Sequence, residues 1–181
     1  MSNSGRTGGY VKPATGRQYI LGGQDQLAGA APTAGSLRLY AVQVPITTAY
    51  QQLGVNVTAA GAAGSTIQPA VYDVDAFGNP RNLILSGSAL DTSAIAIPSA
   101  GPAGTLPAGW LWVGGLCLSA GAVPTVTSVA KSDHDPRGPF APTDNAAGGT
   151  VLAFQNGLAA LPAQFAGTYV SGSAPVLFVT L

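Results

Sequence analysis

From Ser36 onward, apolar residues recur at a period of two in short runs, and clusters of Gly, Pro and Ser separate the runs. That pattern predicts short β-strands joined by turns. In LRLYAVQVP, Leu37 to Pro45, one face carries Leu37, Leu39 and Ala41, with Arg38 and Tyr40 opposite. QQLGVNVT sets Leu53, Val55 and Val57 against Gln52, Gly54 and Asn56. After the flexible AAGAAGS connection, TIQPAVYDVD aligns Ile67, Pro69 and Val71. Pro69 has no N–H to give a ladder, so it predicts an edge position or a bulge. AFGNP reads as a turn, RNLILSG as a strand, SAIAIP as a weak strand, PTVTSVA as a strand and APVLFVTL as the final one. The one candidate for a short helix is GLAALPAQFAG, Gly157 to Gly167, interrupted by Pro162. No repeat of fixed period occurs.

One stretch breaks the alternation. Thr92 to Ala130 carries no charge and contains LPAGWLWVGGLCLSAGAVP. A membrane helix needs about 20 apolar residues in one piece, and Pro102, Pro107 and Pro124 interrupt this one. Read at period two, Trp110, Trp112, Gly114, Leu116 and Leu118 share one face; Leu111, Val113, Gly115, Cys117 and Ser119 share the other. Two apolar faces predict a central strand covered on both sides, entered by a Pro-Ala-Gly turn. Gly114-Gly115 suits a bulge or a close backbone approach.

Composition agrees with strands. The chain has 181 residues, 25 Gly, 14 Pro and seven acids, all Asp. Without Glu and with two lysines, Lys12 and Lys131, it lacks the residues on which long helices draw. The expected fold is all-β: an antiparallel, jelly-roll-like β-sandwich over residues 36–181, preceded by an extended arm over residues 1–35. The arm has no steady hydrophobic period; Arg6, Tyr10, Lys12, Arg17 and Tyr19 are its candidate attachment residues. The N-terminus has no apolar segment of the signal-peptide kind, so synthesis in the cytoplasm is expected. Net charge is zero and 8% of residues are charged, against about 25% in ordinary domains. No basic footprint for nucleic acid is present. The low charge leaves two readings open: a surface covered by other copies of the chain, or a neutral surface wetted by Ser, Thr, Gln and Gly. The single cysteine, Cys117, excludes an internal disulfide and reads as a small buried residue.

Catalytic signatures are scarce. No two glycines stand two apart, so G-x-G-x-x-G is excluded; no Gly-Lys pair forms a P-loop, and no G-x-S-x-G elbow exists. No cofactor is expected, and the chain does not read as an enzyme. KSDHDPRGPFAPTD gathers Lys131, Asp133, His134, Asp135, Arg137, Phe140 and Asp144 in one Pro-rich loop. It is a candidate partner or ligand contact. A weak metal site from Asp133, His134 and Asp135 is the sharper alternative, and a solvated loop the preferred one. In YDVDAFGNP, Asp73, Asp75 and Gly78 match part of a calcium loop. Phe77 stands at a ligand position and Ile84 where the closing Glu belongs, so a hairpin turn is the better reading. The sequon Asn56-Val57-Thr58 lies in an expected strand. The aromatics Tyr40, Tyr50, Tyr72, Trp110, Trp112 and Phe140 could stack on sugars, although strand aromatics more often build a core.

The order LRLYAVQVPI, YQQLGVNVTAAGAAGSTIQPAVYDVDAFGNPRNLILSG, TLPAGWLWVGGL and a terminal SAPVLFVTL resembles a recurrent module of tailed-bacteriophage virion proteins. The resemblance covers about Leu37 to Gly115 and the last few residues. It implies a small β-sandwich, often trimeric, in tail fibres, minor tail proteins or capsid-associated fibres, and it carries no catalytic residues. The Ala/Pro richness and the separate arm depart from the pattern. The expected function is thus a structural, tail- or fibre-associated virion component that docks through its arm. Its partners would be other virion proteins, copies of itself as a homotrimer and, in one version, a host surface glycan, with no nucleic acid and no membrane insertion. A head-decoration protein and a carbohydrate-binding module are the alternatives.

Overall fold

The computed structural model describes residues 18–21, 26–131 and 151–181. Among them every regular element is a strand, and no helix is long and apolar enough to cross a membrane. The first nine strands are β1 (Gln18–Ile20), β2 (Gln26–Ala30), β3 (Ser36–Val44), β4 (Thr48–Tyr50), β5 (Gln52–Gly54), β6 (Val57–Ala59), β7 (Thr66–Val74), β8 (Pro80–Ser86) and β9 (Leu90–Asp91). The remainder are β10 (Ser99–Ala100), β11 (Gly104–Leu106), β12 (Gly109–Leu118), β13 (Thr125–Lys131), β14 (Val151–Gln155), β15 (Thr168–Ser171), β16 (Ala174–Pro175) and β17 (Phe178–Thr180).

A seven-stranded antiparallel sheet runs β15-β14-β3-β12-β7-β8, with β9 also on β7. Three smaller sheets run β1-β17-β5-β10, β16-β13-β2 (with β6 also on β13) and β11-β4. The large sheet is apolar on both faces. On one, Tyr40, Val42, Ile67, Val71, Leu111, Val113 and Cys117 pack with Leu53, Val55, Val57, Val126, Leu177 and Val179 from the smaller sheets and their connections. On the other, Leu37, Leu39, Ala41, Ala70, Tyr72, Trp112 and Leu116 form a second core. The expected all-β sandwich is therefore the observed fold.

The two faces of β12 divide as its alternation predicts: Leu111, Val113 and Cys117 join the first core, Trp112 and Leu116 the second. Its register with β3 and with β7 runs unbroken through Gly114 and Gly115. The glycine pair thus marks a close approach, not a bulge. A Cβ on Gly114 would collide with the Arg38 carbonyl, and one on Gly115 would meet Ile67 Cγ2 at 2.7 Å.

Five local expectations are corrected. QQLGVNVT is not one strand: Leu53, Val55 and Val57 are all buried, but β5 and β6 belong to different sheets. APVLFVTL divides likewise into β16 and β17. SAIAIP forms no strand over 93–98; it only lends carbonyls, from Ala96 to the Val57 N–H and from Pro98 to the Val55 N–H. GLAALPAQFAG is no helix but an irregular strap. Pro69 is not on an edge strand, since β7 has neighbours on both sides. Its carbonyl accepts from Gly87 N, in the gap between β8 and β9, so its missing N–H falls where the neighbouring strand is interrupted.

Part of the expected arm is paired into the body. β1 lies against β17, and β2 against β13. Tyr40 Oη also donates to Leu21 O at 2.7 Å. Arg6, Tyr10, Lys12 and Arg17 lie outside the described residues; Tyr19 is in β1, opposite Val179.

Gly114→Ala is expected to lower stability by about 1–3 kcal/mol or more, because only strand separation relieves a clash with backbone. Gly172→Ala, whose Cβ would meet only Leu152 Cδ1 at 3.4 Å, should be nearly neutral. Urea melts of the two variants beside the parent check this.

Candidate functional site

The densest polar constellation among the described residues is the tip of the β7–β8 hairpin. Asp75 begins the turn. Its Oδ1 accepts from the N–H groups of Phe77 (2.8 Å) and Asn79 (2.9 Å), and its Oδ2 from Asn79 Nδ2 (3.0 Å). An aspartate that binds backbone two residues on builds a turn without help from the rest of the fold. Gly78, at φ 84°, takes the left-handed conformation the turn requires. Two residues earlier, Asp73 accepts from Arg81 Nη2 (2.6 Å), Asn82 N (2.6 Å) and Asn82 Nδ2 (3.2 Å).

The tip is fastened to the second core. Trp112 is 1% exposed, yet its indole N–H needs an acceptor; it donates to Gly78 O at 2.8 Å. Tyr169 of β15 donates from Oη to Asn79 Oδ1 at 2.6 Å. This bond joins the hairpin of β7 and β8 to β15, at the other end of the sheet's strand order.

Between those two edges runs the strap. Leu158 N donates to Gly35 O (2.9 Å), Leu83 N to Ala163 O (2.9 Å) and Phe165 N to Arg81 O (2.8 Å). Tyr72 Oη donates to Pro162 O at 2.7 Å. Leu158, Leu161 and Phe165 pack on the second core.

Phe77 stands at the end of this framework with 78% of its surface exposed. The hydrogen bonds fix the backbone that carries this large aromatic, so a partner that covers it has no loop to order. It is the residue of this site best suited to contact another molecule.

The electrostatics fix the loop rather than activate it. Burial alone would raise the Asp73 carboxyl, but hydrogen bonds from Arg81 and Asn82 outweigh it and hold the group below its ordinary value. Asp75 is lowered chiefly by the Asn79 side-chain amide. Burial pushes the Tyr72 phenol up to about 12 and the Cys117 thiol up to about 11, so neither ionises near neutrality. Asp91, the other described carboxylate, accepts from Ser93 N (2.9 Å). All three described aspartates thus accept from nearby backbone N–H groups.

A second feature is Arg38 in β3. Its Nη1 donates to Ser173 O (3.2 Å), its Nη2 to Thr33 Oγ1 (3.1 Å), and its guanidinium lies 5.6 Å from the Phe154 ring centroid. Its buried Nε has no partner among the described residues. Burial lowers its pKa.

Of the loop singled out from sequence, Lys131 closes β13; Asp133, His134, Asp135, Arg137, Phe140 and Asp144 lie outside the described residues. The partial calcium motif is a hairpin turn, with both carboxylates engaged as above. No group of three or more metal-binding side chains occurs among the described residues. Asn56 of the sequon donates from Nδ2 to Thr127 Oγ1 at 2.9 Å. Tyr40, Tyr50, Tyr72 and Trp112 are buried, and Trp110 packs against the second core, so these aromatics offer no broad open stacking face. Sequence reasoning placed a hairpin turn within Tyr72 to Pro80 but missed its display of Phe77. An aromatic where a calcium ligand would stand, beside a turn-forming Asp, was the available signal.

Both hairpin carboxylates have folded pKa values below their ordinary value of 3.8. Their stabilisation is complete above the unfolded value and is lost as pH falls through the folded value. Thermal midpoints should therefore fall on acidification below about pH 4. Asp75→Ala should lower the midpoint at neutral pH, and its difference from the parent should shrink on acidification; calorimetry across that range checks both.

No family model, curated protein or solved structure matches this chain.

Proposed function

We propose that the chain is a structural component of a tailed-bacteriophage virion, tail- or fibre-associated and homo-oligomeric, that uses the β7–β8 tip as a contact point. One observation carries this reading. The four longest strands within the stretch that resembles virion modules, β3, β12, β7 and β8, are consecutive neighbours in a single sheet. These four form one unit of the large sheet, and the shorter β4, β5, β6, β10, β11, β16 and β17 of the resembling segments lie in the three smaller sheets. The tip of that unit is where Phe77 is displayed.

The described polar groups favour a scaffold. Asp73, Asp75 and Asp91 each accept from nearby backbone N–H groups, and the polar atoms of Tyr72 and Trp112 bind carbonyls. Such groups hold loops in place. A particle that carries many copies gains avidity from contacts that are individually weak, and one exposed aromatic on a fixed turn per copy suits that arrangement. The sugar-binding alternative has less support, because the two tryptophans pack on the second core.

Immunogold labelling of intact particles with an antibody to residues 36–181 tests the assignment. Gold at the tail end is the expected result; gold over the head would replace it with decoration, and bare particles would end the virion reading. Phe77→Asp should reduce incorporation into particles while leaving the melting temperature of the purified chain unchanged within a degree or so, as expected of an exposed substitution.

A further inference from the structure

We propose that Asn156-Gly157 is a site of spontaneous covalent modification, at which the asparagine converts through a cyclic succinimide to aspartate and isoaspartate. The pair lies where β14 ends and the strap begins, and both residues are exposed. Gly157 has φ 72°, with nothing within 4 Å of where a Cβ would sit. The amide that anchors the strap is the next one, Leu158 N on Gly35 O. Neither the Asn156 side chain nor Gly157 N has a hydrogen-bond partner among the described residues.

The other described asparagines are held. Asn56 donates to Thr127 Oγ1 and precedes the β-branched Val57. Asn79 is bound by Asp75 and Tyr169, and the following Pro80 has no N–H to act as nucleophile. Asn82 donates to Asp73, and the following Leu83 N is engaged by Ala163 O. Asn156 alone among the four combines an unhindered glycine nitrogen, a free carboxamide and a turn in contact with water.

The chemistry needs only water and base. The Gly157 nitrogen gives up its proton and attacks Asn156 Cγ; a C–N bond forms and ammonia leaves. Water then opens the five-membered imide at either carbonyl. One opening yields aspartate. The other routes the main chain through the former side-chain carbon, giving isoaspartate and lengthening the backbone by one methylene. Either product adds one negative charge to a chain whose formal charge is zero. The isoaspartate insertion falls immediately before the Leu158–Gly35 bond, at the root of the strap that covers Tyr72 and Trp112.

Ageing the full chain at mildly alkaline pH and following it by peptide mapping tests this, with a free peptide of residues 153–160 aged alongside. The expected result is a gain of one mass unit at Asn156 before any change at Asn56, Asn79 or Asn82, with isoaspartate in the product. Asn156→Gln, which keeps the turn glycine, should hold its charge over the same period. In the aged parent, the Leu158 amide should exchange hydrogen faster than in the aged variant. Retention of the Asn156 amide in the folded chain while the free peptide converts would overturn the proposal, as would equal conversion at Asn79 or Asn82.

Discussion

The close approach of β12 to β3 at Gly114 is the constraint on which the rest of the structure depends. β12 sits between β3 and β7 and contributes to both cores. A strand buried on both faces must satisfy its backbone within the sheet, since no water reaches it. Gly114 allows this: any side chain there would press on the Arg38 carbonyl. With the ladder intact, Leu111 and Val113 point to one core while Trp112 and Leu116 point to the other. Full burial of side chains of that size is worth about 1.5–3 kcal/mol each, so the shared strand ties two hydrophobic clusters into one cooperative unit.

Trp112 carries that constraint out to the surface. Its ring is held in the second core, but its N–H cannot be left unsatisfied there without a penalty of about 1–3 kcal/mol. The acceptor is Gly78 O, in the turn that displays Phe77. Tyr169 brings Asn79 of the same turn to β15. The geometry of the tip is therefore set from two directions, by its own aspartates and by aromatics rooted in the core. A loop built in this way keeps its orientation on the sheet only while the second core is packed.

Much of this was legible in the chain. The division of β12, and the shared face of Leu37, Leu39 and Ala41, followed from a period of two. What that period does not encode is a change of partner. Leu53, Val55 and Val57 keep perfect alternation while the chain passes from one sheet to another, because burial alone sets the alternation and both sheets face the same core. The terminal APVLFVTL behaves in the same way. Ile95 and Ile97 misled for the opposite reason: they alternate with alanine, yet they are exposed and no ladder forms around them. At the site, Asp75 and Gly78 announced the turn, but no local signal connects Asn79 to Tyr169, 90 residues away.

The strap shows why propensity failed over Gly157 to Gly167. Its alanines and leucines favour a helix in isolation, but Pro162 removes a donor in mid-segment. The backbone groups that a helix would pair internally are claimed by the sheet, since Ala163 O and Phe165 N both bond to β8. Those bonds also solve a problem of the sheet. β8 is its last strand, and an open edge of that kind invites pairing with other chains. The strap covers the edge at Arg81 to Leu83 while its half-buried Leu158, Leu161 and Phe165 close the second core. A helix could present those three side chains, but it could not also give its main chain to the edge. The irregular conformation is the one that does both.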